Sequence, residues 1–123
     1  MRSYKMQKEK DLKVRTKKFA LRIIKMYSSL PKSPEAKVLG SQVLRSGTSI
    51  GANYREASRG RSKAEFIAKM GECLKELDET IYWLALLIEA EILPENKLSG
   101  LLQESNELTA IFVTIINKTK NKK

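Results

Sequence analysis

Ile67, Met70, Leu74, Leu77, Ile81, Leu84 and Ile88 follow one another at alternating steps of three and four residues without a fault. On a helix that spacing forms one apolar seam about five turns long. A strand would scatter the same side chains over both of its faces. The segment opens on Ser62 and Glu65, the S-x-x-E spacing of a capping box, and Pro94 closes it. A seam of this length must be covered, and no β-hairpin signal appears anywhere in the chain to supply a sheet.

Three further helical segments can supply the cover. The first is expected from about Asp11 to Ser29, with Leu12, Thr16, Phe19, Ile23, Tyr27 and Leu30 on one stripe. Lys10, Lys13, Lys17, Lys18, Arg22 and Lys25 fall on the remaining arc, which reads as an almost wholly cationic face. Leu30-Pro31-Lys32-Ser33-Pro34 interrupts the pattern, with Ser33 as N-cap and Pro34 at the first helical position of the second helix. That helix runs to about Ser58, where Gly60 suits a C-terminal cap. After Pro94 the fourth presents Leu98, Leu101, Leu102, Ser105, Leu108, Phe112, Ile115 and Thr119 on one side. Short connections make neighbours antiparallel. The expectation is an all-α, antiparallel up-and-down four-helix bundle over residues 11–120, after a flexible basic segment 1–10.

The second helix is locally unsuited to being one. In Arg45-Ser46-Gly47-Thr48-Ser49-Ile50-Gly51-Ala52-Asn53, each interior glycine costs about 1 kcal/mol against alanine. Ser and Thr also compete for backbone hydrogen bonds. Gly47 and Gly51 are four apart on one face, which lets another helix approach closely. Val43, Ile50 and Ala57 form a heptad-spaced apolar stripe, and Arg45, Ser49, Asn53 and Glu56 a polar one. The cost of the glycines favours burial of this helix, between subunits.

Charge is distributed unevenly. Residues 1–25 carry +8, residues 26–64 carry +5 and residues 65–107 carry −7, within a net +10. Such asymmetry suits a polyanion partner or self-association between unlike faces. The chain has no histidine and one cysteine, Cys73. The commonest general base and metal ligand is therefore missing, and no internal disulfide can form, which fits a reducing compartment. The N-terminus has no apolar core of a secretory signal. No apolar run approaches the ~20 residues that span a bilayer. A cytoplasmic protein without membrane association is expected.

Leu44-Arg45-Ser46-Gly47-Thr48-Ser49-Ile50-Gly51-Ala52-Asn53-Tyr54-Arg55-Glu56-Ala57 resembles the second-helix signature of a family of bacterial four-helix-bundle proteins. That family was first named for reading frames within intervening sequences of 23S ribosomal RNA genes. It also includes the accessory variability determinant of diversity-generating retroelements. Ser62, Glu65-Phe66 and Glu79-Thr80-Ile81-Tyr82-Trp83-Leu84 are similar to the third-helix signature, and Phe19, Leu30-Pro31, Glu35-Ala36 and Gln42 fit the lead-in. The similarity covers roughly residues 12–118. It implies an antiparallel bundle assembled as a ring-like homopentamer, with no known enzymatic activity. In the retroelement branch it implies binding to a reverse transcriptase and to nucleic acid through a basic surface.

No enzyme, cofactor or metal is expected. Cys73 lacks a histidine partner and reads as a small core residue. Glu72, Glu76 and Glu79 could hold a divalent cation, as a metal-dependent nuclease would require, but a solvated charged face explains them more simply. Arg45 with Glu56 or Glu79 reads as a structural ion pair. Trp83 reads as a packing residue in the core or at an oligomer interface. The best functional candidate is the basic set Lys13, Lys17, Lys18, Arg22 and Lys25, with Arg55, Arg59, Arg61 and Lys63 around the second turn. These would hold RNA or DNA phosphates without reading bases. Charge alone leaves that reading level with a scaffold whose lysines serve solubility and assembly; the resemblance favours nucleic acid.

Overall fold

The computed structural model describes the backbone of residues 2–122 and the side chains of residues 11–122. The chain forms four helices: α1 (Arg2–Ser28), α2 (Pro34–Ala57), α3 (Lys63–Glu89) and α4 (Glu95–Lys120). They run up and down, α2 packing on α1 and α3, and α3 on α4. Among the described residues there is no strand.

The helix boundaries follow local chemistry. Ser33 caps α2, its hydroxyl accepting the Ala36 N–H at 3.2 Å, and Pro34 occupies the first turn. Ser62 caps α3 by accepting the Glu65 N–H at 3.1 Å. The return bond of the capping box reaches one residue further back than expected, Glu65 accepting the Arg61 N–H at 2.7 Å. α1 begins at Arg2, nine residues ahead of the expected start. Residues 2–10 contain no glycine or proline to stop it. The expected flexibility of residues 1–10 falls on side chains outside the described residues. Gly60 is not a left-handed cap: no glycine has a positive φ among the described residues. α2 tightens instead through Arg59 N–H to Glu56 and Gly60 N–H to Ala57 carbonyls at 3.1 and 3.0 Å. The left-handed residue is Glu91, at φ 58°. Around it Glu91 N–H donates to the Ile88 carbonyl and Ile92 N–H to the Leu87 carbonyl, both at 2.9 Å. This is a Schellman motif with glutamate where glycine is usual.

One core joins all four helices. Phe19 and Ile23 of α1 meet Val43 and Ile50 of α2, Leu77 and Leu84 of α3, and Leu108 and Phe112 of α4. On α3 the buried line is Met70, Cys73, Leu77, Thr80, Leu84 and Leu87. Ile67, Leu74 and Ile88 of the expected seam pack at its edge. The displacement arises because α3 lies between α2 and α4, so its buried arc turns towards α2. There the Thr80 and Ser46 hydroxyls, both fully buried, share a hydrogen bond of 2.8 Å.

The partner of the α2 glycines is α1 of the same chain. A Cβ on Gly47 would meet Ile23 Cγ1 at 2.8 Å, and one on Gly51 would meet Thr16 Oγ1 at 3.1 Å. Gly40 faces Leu30 and Tyr27 in the same way. The close approach expected to serve subunits is thus used inside the bundle.

Candidate nucleic-acid interface

The Thr16–Gly51 and Ile23–Gly47 contacts fix the register of α1 against α2. Lys13 lies one turn before Thr16 and Arg55 one turn beyond Gly51, so both cations flank the α1–α2 crevice at one level. Lys17 and Lys18 follow on α1, while Arg59, Arg61 and Lys63 ring the turn below; all five are exposed. The end of α4 arrives at the same place. Lys63 Nζ donates to the Lys120 carbonyl at 3.5 Å and also contacts the Lys122 carbonyl. One end of the bundle therefore gathers Lys13, Lys17, Lys18, Arg55, Arg59, Arg61, Lys63, Lys118, Lys120 and Lys122. An open depression of about 530 Å³ at this end is lined by Glu56, Arg59, Gly60, Arg61, Glu65, Ala68 and Lys69. Two of its acids are engaged: Glu56 pairs with Lys69 at 3.3 Å, and Glu65 holds the Arg61 N–H.

Two members of the expected basic set stand apart. At 1.5 Å per residue, Arg22 and Lys25 lie about 14 and 18 Å along the axis from Lys13. Arg22 leans towards α4, its Nη2 3.1 Å from where a Cβ on Gly100 would stand. Nor is the outer face of α1 wholly cationic. Val14, Leu21 and Ile24 are exposed along it at 45%, 57% and 44%. Their spacing was present in the sequence as i, i+7, i+10 but ran through the arc assigned to lysines. Lys10 belongs to the side chains outside the described residues.

The polar stripe of α2 serves the α2–α3 contact. Arg45 donates to Glu76 at 3.1 Å and to Glu79 at 3.2 Å. Glu56 is not its partner, being too far along α2. Ser49 donates to the Arg45 carbonyl at 2.6 Å. Asn53 and Trp83 are half-buried. The Trp83 Nε1–H is enclosed without a hydrogen-bond partner, and the Tyr82 and Trp83 rings meet edge to face at 5.0 Å. With Glu76 and Glu79 held by Arg45, no group of three metal-ligating side chains forms among the described residues. Cys73 is fully buried, its Sγ 3.6 Å from the Ile50 carbonyl, and burial pushes the thiol pKa up to about 12.

Arg15, absent from the expected sites, clasps α1 to α4. It donates twice to Glu104 at 2.7 Å and once to Glu107 at 2.9 Å. The hydrogen bond to Glu104 pushes its pKa still further up. Beside it a shallow groove of about 330 Å³ runs between Leu12 and Ile111, Thr114 and Ile115. No helix among the described residues is long and apolar enough to cross a membrane.

A family model described as 23S rRNA-intervening sequence protein matches residues 8–114. Among solved structures, the chain is similar to a protein with unknown function from the S23 ribosomal protein family of Bacteroides thetaiotaomicron. The identity is 41% and the TM-score 0.80, over 85% of this chain and 97% of that one. No curated protein matches the chain.

Proposed function

The chain belongs to the 23S rRNA-intervening sequence protein family, and from that premise we propose that it is a non-enzymatic, homo-oligomeric bundle that holds nucleic acid by its phosphates. The observation that carries the reading is the convergence of α1, the α2–α3 turn and the end of α4 on one basic bundle end. Cations there neutralise phosphates and release counterions, which gives affinity that is sequence-blind and sensitive to salt. Among the described residues, the aromatic side chains near that end, Tyr54 and Phe66, pack against the core and offer no platform for stacking bases. Repetition of the basic end in an oligomer lets weak contacts reinforce one another. The test is a salt titration with short RNA and DNA duplexes of mixed sequence. Log affinity is expected to fall against log salt with a slope of about −3 to −5. An affinity that stays flat from low to physiological salt excludes the mechanism.

A scaffold reading draws on the exposed α1 stripe of Val14, Leu21 and Ile24. It assigns the surface to protein contacts and expects a clean oligomer with no affinity for either duplex.

A further inference from the structure

Lys63 opens α3, and α4 ends beside it. Its Nζ donates to the Lys120 carbonyl at 3.5 Å and also contacts the Lys122 carbonyl. Two of the three donors of that ammonium are thereby directed at backbone. The last carbonyls of a helix have no partner within it. At the end of α4 the Asn117 and Thr119 carbonyls accept the Asn121 and Lys122 N–H groups, at 3.1 and 3.3 Å, and the Lys120 carbonyl accepts Lys63. A cation at this position also complements the negative end of the α4 dipole.

The segment held in this way carries charge with no acid beside it in sequence. From Leu108 to the last residue there is no Asp or Glu, and the side chains of Lys118, Lys120 and Lys122 are exposed. Lys118 stands seven residues beyond Ile111, on the side of α4 that borders α1. Lys120 and Lys122 are held by their carbonyls against the start of α3. Without Lys63 the last turn rests on its own hydrogen bonds and frays, as chain ends do. Three lysines must then be ordered at the moment of binding, which lowers affinity. We infer that Lys63 is a positioning residue: it serves phosphate binding by holding Lys118, Lys120 and Lys122 beside Arg59 and Arg61, and not as a phosphate ligand of its own. This inference rests on the phosphate-binding reading above and changes the part of Lys63 within the basic set.

The test is a double-substitution cycle in the full chain. Its members are Lys63→Met, the triple variant Lys118→Gln with Lys120→Gln and Lys122→Gln, and the two combined. Affinity for a mixed-sequence duplex is measured at a fixed low salt concentration, and amide hydrogen exchange is followed over the end of α4. The triple variant keeps the carbonyls that Lys63 holds, and all four side chains are exposed, so circular dichroism should match the parent. In the parent background, Lys63→Met is expected to speed exchange over residues 117–122 alone and to weaken binding roughly fivefold or more, the order of one lost phosphate contact. Added to the triple variant, it should weaken binding by less than about twofold, because the side chains it positions are gone. A ligand acting for itself multiplies its loss onto that of the triple variant and makes the salt slope shallower by about 0.9 in both backgrounds. Multiplied losses therefore overturn the positioning role and leave phosphate binding standing. So does unchanged exchange over residues 117–122. A parent with no affinity for the duplex overturns the phosphate reading and this role together.

Discussion

Ile23 seats its Cγ1 2.8 Å from where a Cβ on Gly47 would stand, and Ile23 is itself fully buried. The β-branched side chain is stiff at χ1 and has no void to move into. Gly47→Ala should therefore destabilise the bundle although it removes a helical glycine. Overpacking costs about 1–3 kcal/mol, against about 1 kcal/mol of helix propensity regained. Gly71 is the control, because a Cβ there meets nothing within 4 Å. Gly71→Ala should stabilise by about 1 kcal/mol and raise Tm by a few degrees. Thermal denaturation of the two variants decides the matter: equal effects at the two glycines would show that α1 does not rest on α2 as described.

Glu91 occupies a left-handed position at φ 58° immediately after α3. A Cβ is strained there and glycine is not. Glu91→Gly should stabilise by about 1 kcal/mol, with a small further gain from removing a negative charge at a helix C-terminus. The measurement is the denaturant midpoint at unchanged m.

Cys73 should be inert to thiol reagents in the folded protein at pH 8 and react at once after unfolding. The sign of its pH effect follows from burial, which holds the folded thiol at a pKa of about 12, while an unfolded cysteine titrates near its ordinary value of about 8.5. Between those values the unfolded chain releases a proton that the folded chain retains. Stability is thus complete below the unfolded pKa and is lost as pH rises towards the folded one. Denaturation from pH 8 to 11 should show this decline in the parent, and a shallower one in Cys73→Ala.

Much of this architecture could be read from residue spacing. Ser33-Pro34, Ser62 and Pro94 marked helix starts because caps and prolines act through local geometry. The buried line Val43, Ile50 and Ala57 was visible for the same reason. The centre of α3 was not, because an apolar rule prefers Ile67, Leu74 and Ile81 to Cys73 and Thr80. Thr80 can be buried because its hydroxyl is satisfied twice, by the Glu76 carbonyl of its own helix and by Ser46 across the α2–α3 contact. The glycines announced a close helix approach but not which helix, since that depends on register. The basic surface was legible as composition; its division into a bundle end and the outlying Arg22 and Lys25 needed the α1–α2 register. The exposed Leu21 and Ile24 were hidden by the lysines around them.

The most direct measurement of the central claim reverses the same number of charges at opposite ends of the bundle. Arg59→Glu with Arg61→Glu alters the basic end; Lys32→Glu with Lys37→Glu makes an equal change in net charge at the far end, and all four residues are exposed. Duplex affinity would be followed against salt for both pairs. The account predicts that the first pair weakens binding and makes the salt slope shallower by about 2, while the second pair leaves both nearly unchanged. Equal losses from the two pairs would contradict it, because binding would then follow net charge and not the arrangement of cations at one end.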